Sequence, residues 1–93
     1  MEIRIAPEVP DFVSDRGGQL FIWVEGSHPT WGLVCASTDR PYGDIPFAQM
    51  PSKQLVLWLD RRIDEEWLEL TVAGLLRRRI DVGFPERGLG PSN

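Results

Sequence analysis

"EWLELTVAGLLRRRIDVGF", residues 66–84, carries the choice on which the fold turns. Leu68, Leu70 and Val72 alternate with Glu69 and Thr71, the period of a half-buried strand. Ile80, Val82 and Phe84 alternate in the same way against Arg79 and Asp81. The alternative is one helix through residues 64–79, "DEEWLELTVAGLLRRR", whose leucine-rich end suits it. Gly74 falls in the middle of that span, where glycine weakens a helix by about 1 kcal/mol relative to alanine. We therefore read two strands and keep the helix as the competitor.

Upstream, the strand signals are stronger. "QLFIWVE", residues 19–25, is dense in aromatic and β-branched residues. It places Leu20, Ile22 and Val24 on one face and Phe21 and Trp23 on the other. "KQLVLWLD", residues 53–60, repeats the arrangement, with Leu55, Leu57 and Leu59 opposite Val56 and Trp58. "EIRIA", residues 2–6, is a short half-buried strand, and "LVCAST", residues 33–38, is a partner for residues 19–25. Between the first two strands, residues 11–16 form a short helix with Phe12 and Val13 turned inward. Pro7 and Pro10 suit its entry. Gly17 and Gly18 supply the positive φ that lets the chain leave it.

Three segments read as connections. "GSHPTWG", residues 26–32, is a loop by its Gly, Ser and Pro content. Residues 39–52, "DRPYGDIPFAQMPS", hold three prolines and a glycine and read as an irregular crossing. "RRIDE", residues 61–65, is a charged turn. The sum is a β-dominated α+β domain: five or six short strands and one short N-terminal helix, in a small two-sheet sandwich or clip. Residues 1–84 form the single domain, and the Gly/Pro-rich residues 85–93 are a flexible tail.

Composition narrows the function. The 93 residues are 42% hydrophobic, with four Trp and four Phe, enough for a core without staples. The net charge of −4 disfavours nucleic acid, which needs clustered positive charge. A single cysteine excludes an internal disulfide and a multi-cysteine zinc site, and suits a reducing compartment. No apolar run has the length of a signal peptide or a membrane span, so a cytoplasmic protein with no membrane partner is expected. No Gly-rich phosphate loop, nucleophile elbow or H-E-x-x-H motif is present, and the chain reads as a non-enzyme without a cofactor.

Four groups of residues are candidates for a site. Phe21, Trp23, Val56 and Trp58 lie opposite the core-facing sides of their strands. Strands apolar on both sides need two covers. The N-terminal helix, the segment from Asp39 to Met50, a partner chain and an apolar ligand are the candidate covers; a partner would make these four residues an interface, with Trp23 and Trp58 close together. His28 and Cys35 are the chain's only histidine and cysteine, and with Glu25 or Asp39 they could hold a metal. Their spacing crosses from a loop into a strand, so an exposed His28 and a buried, inert Cys35 are the plainer reading. The same burial argues against a Cys–His nucleophile. Arg77, Arg78 and Arg79 could bind an anion, with Arg61, Arg62 and Arg87 adding charge. On a strand Arg78 faces away from the other two, and nearby Asp60, Asp64, Glu65, Glu66 and Asp81 can pair with them, as on a solvated edge.

The layout of "APEVPDFVSDRGG", "QLFIWVE", a loop, "LVCAS" and a later "KQLVLWLD" resembles the HesB-like family, the A-type iron–sulfur carriers and their relatives. The resemblance spans roughly residues 2–84 as an order of elements and implies a β-core of two packed sheets. In that family the chemistry rests on cysteines, one in the loop after the second strand and two near the C-terminus. Here the loop has His28 near that position, Cys35 falls later, and "GFPERGLGPSN" has no cysteine. The resemblance therefore carries cluster binding to no position of this chain.

The leading expectation is a small non-enzymatic domain acting through an apolar surface, on a second copy of itself or on another protein. The alternatives are a divergent metal- or iron–sulfur-handling protein using His28 and Cys35, and a weak anion or nucleic-acid binder using Arg77, Arg78 and Arg79.

Overall fold

A computed structural model describes residues 1–25 and 33–84. Among them the elements run β1 (Glu2–Ile5), α1 (Val9–Ser14), β2 (Gln19–Glu25), β3 (Leu33–Ser37), β4 (Phe47–Met50), β5 (Val56–Asp60), β6 (Trp67–Ala73) and β7 (Arg79–Gly83). Seven strands and one short helix make a β-dominated α+β fold of two mixed sheets. Residues 66–84 are the hairpin β6–β7, paired antiparallel with Thr71 opposite Asp81. The alternation thus outweighs the helical competitor, because one face of each strand is buried. Leu68 and Leu70 are fully buried and Ile80 nearly so, and each such side chain contributes roughly 1.5–3 kcal/mol on removal from water.

One sheet has the order β1–β6–β7 and the other β3–β2–β5–β4. Each contains one parallel pair, β1 with β6 and β2 with β5. Both pairs join strands far apart in sequence. The sheets face each other over one core of Leu20, Ile22, Val24, Leu55, Leu57, Leu59, Ile63, Leu68, Leu70 and Ile80. The inward faces are those set by the alternation in β2 and β5. The edge strands β3 and β7 approach each other, so the two sheets close toward a clip at that side.

The helix lies two residues earlier than residues 11–16, with Pro10 in its first turn. Val9 and Val13 are fully buried in the central core, and Phe12 packs half-buried at its rim. The helix therefore covers the core between the sheets, not the second face of β2 and β5. The exit from α1 uses both glycines, at φ 109° for Gly17 and 82° for Gly18. The Gly18 N–H donates to the Val13 carbonyl at 2.9 Å, and the Gly18 carbonyl accepts from Val56 N–H at 3.1 Å. One residue in a left-handed conformation thus ends the helix and starts the β2–β5 ladder.

The segment read as an irregular crossing from 39 to 52 contains β4. Phe47–Met50 pairs antiparallel with β5 at the sheet edge, with Phe47 opposite Asp60 and Met50 opposite Leu57. Pro46 and Pro51 flank it, which proline permits on an edge strand. This strand is one reason the count is seven and not five or six. Residues 85–93, read as a tail, lie outside the described residues.

Candidate functional site

The outer face of the four-stranded sheet gathers the aromatic set. Phe21 lies opposite Trp58 in the parallel β2–β5 pairing. Their rings stack, 6.4 Å apart and 9° from parallel. Phe47 meets Phe21 edge-on at 5.5 Å, and the exposed Arg40 places its guanidinium 5.8 Å from the Phe21 ring and 5.5 Å from that of Phe47. The segment after β3 thus folds back on its own sheet. Phe21 is left 5% exposed and Trp23 9%. Trp23 is not the neighbour of Trp58; it pairs with Cys35 across β3, and its indole N–H donates to Glu25 Oε2 at 3.1 Å. Trp58 donates to Gln19 Oε1 at 2.9 Å. Of the four residues expected at an interface, Phe21 and Trp23 are buried by the chain itself, and Val56 and Trp58 stay half-exposed.

At the end of this face lies an ion pair between a buried carboxylate, Asp60, and an arginine, Arg62, that reaches solvent. The β2–β5 register runs from Gln19–Val56 to Ile22–Leu59, and beyond it side chains take over the backbone's bonds. Asp60, fully buried, accepts from Val24 N–H at 3.0 Å. It also accepts from the Arg62 N–H at 2.9 Å and from Arg62 Nη2 at 2.7 Å. Arg62 Nη2 donates as well to the Val24 carbonyl at 3.0 Å. Both backbone groups of Val24 are thereby satisfied. Burial alone pushes the Asp60 carboxyl up, but the hydrogen bonds from Arg62 and Val24, with the Arg62 charge, outweigh it and hold the carboxyl below its ordinary value. This corner clamps two strands and holds a charge pair that is saturated with partners.

Cys35 is half-buried, not buried as its apolar strand suggests, because β3 is an edge strand of its sheet. Burial, and then the Glu25 charge, push its thiol above the ordinary value, which leaves it a poor nucleophile at neutral pH. His28 and Trp31 lie outside the described residues. Among the described residues no group of three or more His, Cys, Asp or Glu side chains gathers as a metal would need, and no helix is long and apolar enough to cross a membrane.

The arginine run occupies the β6–β7 turn. Arg79, the first residue of β7, reaches Asp81 at 3.7 Å. Arg77 and Arg78 are exposed and make no ion pair among the described residues. Directly before them are Leu75 and Leu76, each 99% exposed. Gly74, at φ 101°, sets this turn, and a Cβ there would collide with the Arg77 carbonyl. The loop is therefore closed tightly on itself, and the two leucines project from its outside.

Leu75 and Leu76 are site residues that the sequence pattern did not single out, since "GLLRRR" reads as the leucine-rich end of the competing helix. The available signal was Gly74 between two alternating segments, which makes the residues after it a hairpin turn and their leucines exposed. Comparison of the chain with models of protein families, with curated proteins and with solved structures gives no match in any of the three.

Proposed function

We propose that this protein is a non-catalytic interaction module that engages its partner through the tip of the β6–β7 hairpin. The observation that carries the reading is the adjacent pair Leu75 and Leu76, each 99% exposed on a turn fixed by Gly74. Scattered apolar residues are ordinary on a surface. Two consecutive leucines held away from their own core expose apolar area that gains free energy only when something covers it. The aromatic face of the other sheet is the weaker candidate, since its own chain already covers Phe21 and Trp23. A homodimer formed there would rest on the half-exposed Trp58 and Val56 alone.

The order of a strand, a short helix ended by glycine and two packed sheets supports a HesB-like scaffold as part of this proposal. The scaffold brings no function with it.

The test is site-specific photo-crosslinking in cells. A benzophenone side chain replaces Leu75, and a control replaces the exposed Arg61. Adducts from position 75 that are missing from position 61 are expected. Equal labelling at both positions, or none, overturns the proposal.

A further inference from the structure

We infer that the β6–β7 tip docks on an anionic lipid surface, with Leu75 and Leu76 in the headgroup–acyl boundary and Arg77 and Arg78 against lipid phosphates. The inference rests on the hairpin reading above and names its partner. Three observations favour lipid over a folded protein. The tip is small and convex, a turn between the last residue of β6, Ala73, and the first of β7, Arg79. A stable protein interface removes about 800 Å² from each partner, far more than such a tip presents to a flat surface. A fluid lipid boundary closes around a protruding tip and covers it on all sides.

The composition is also that of an interfacial contact: apolar residues flanked at once by arginines. Arg77 and Arg78 have no ion-pair partner among the described residues, and Arg79 is held only loosely by Asp81 at 3.7 Å. Their charge is therefore available outward. The net charge of −4 sits on the whole chain, but exposed charges are screened beyond about 8 Å at physiological salt, so a local cationic tip can approach an anionic surface. The cytoplasmic leaflet is such a surface. No apolar run of the sequence is long enough to span a membrane, the ground for expecting no membrane partner, yet surface contact needs only an apolar tip and adjacent charge. The contact is weak and reversible, because two leucines and two or three arginines are less than the paired signals that stable anchoring takes.

Vesicle co-sedimentation tests this with the whole chain. One set of vesicles is phosphatidylcholine; the other is equal parts phosphatidylcholine and phosphatidylglycerol. The wild type is expected to sediment with the second set and not with the first. Leu75→Ser/Leu76→Ser should lose more than about tenfold of that binding. Arg77→Glu/Arg78→Glu should lose at least about fivefold for each arginine removed. Circular dichroism should show both variants folded, since none of the four side chains is buried. Binding that persists unchanged in the leucine variant, or that is equal on both vesicles, overturns the inference. So does a wild type that ignores the anionic vesicles. In that last case the crosslinking separates the two readings: protein adducts from position 75 keep the hairpin as the contact and reject lipid, and no adducts reject both.

Discussion

Replacing Asp60 with alanine should cost this fold about 3 kcal/mol, and the number can be assembled from its contacts. The side chain is fully buried and accepts from the backbone N–H of Val24 on β2, 3.0 Å away. Without it, that N–H is left without a partner inside the protein, at a cost of roughly 1–3 kcal/mol. The Arg62 N–H loses its acceptor too, and Arg62 loses the anchor that keeps Nη2 within 3.0 Å of the Val24 carbonyl. Breaking a buried pair costs roughly 3–5 kcal/mol where the surviving charge is trapped. Here the survivor is Arg62, whose side chain is 41% exposed and can turn to water, so the lower end applies. In urea, with a slope of about 1.5 kcal/mol/M for a small domain, the midpoint should fall by about 2 M. Arg62→Ala offers the companion measurement. It removes the guanidinium but leaves Asp60 its two backbone donors, and the double-mutant cycle should show strong coupling. A midpoint shift for Asp60→Ala smaller than about 0.3 M would refute the view that this pair replaces the missing end of the β2–β5 ladder.

Further outcomes follow from the same geometry. Because the Asp60 carboxyl is held below its ordinary value, its contribution is complete above the unfolded-state value of about 3.9 and is lost as pH falls through the lower folded value. Urea titrations across that acid range should show wild type losing stability more steeply than Asp60→Asn; parallel profiles contradict the assignment. Native Cys35, its thiol pushed up by burial and by Glu25, should react with iodoacetamide at least about tenfold more slowly than in urea. Comparable rates would show the thiol to be open and unperturbed. Trp58→Glu should destabilise a monomer by about 2 kcal/mol, since the ring stacks on Phe21 and a charge replaces it on an aromatic face. Analytical ultracentrifugation that finds a wild-type dimer, and a folded monomer in the variant, would return this face to the interface reading. Gly18→Val should cost more than about 1 kcal/mol, although nothing stands within 4 Å of a Cβ there, because its φ of 82° alone opposes a β-branched residue. An unchanged melting temperature would refute this.

The sequence by itself determined the elements whose period is local. The alternation in residues 19–25, 53–60 and 66–84 follows from one strand face needing burial, so Leu20, Ile22, Leu57, Leu68 and Leu70 were legible as core. The glycine pair was legible because a chain leaving a helix for a strand needs positive φ at once. Tertiary structure decided the rest. Phe47–Met50 is a strand only because β5 supplies a ladder for it, and nothing within a proline-rich segment announces a distant partner. The stacking of Trp58 on Phe21, where Trp23 was expected, was set by the β2–β5 register, which joins residues nearly forty positions apart. Asp60 read as one of several solvated carboxylates, yet it is buried, because the end of β5 lies against Val24 and an unfinished ladder needs an acceptor there. Leu75 and Leu76 look like core by composition and are exposed by position, since a tight turn leaves its outer side chains nothing of their own chain to pack against.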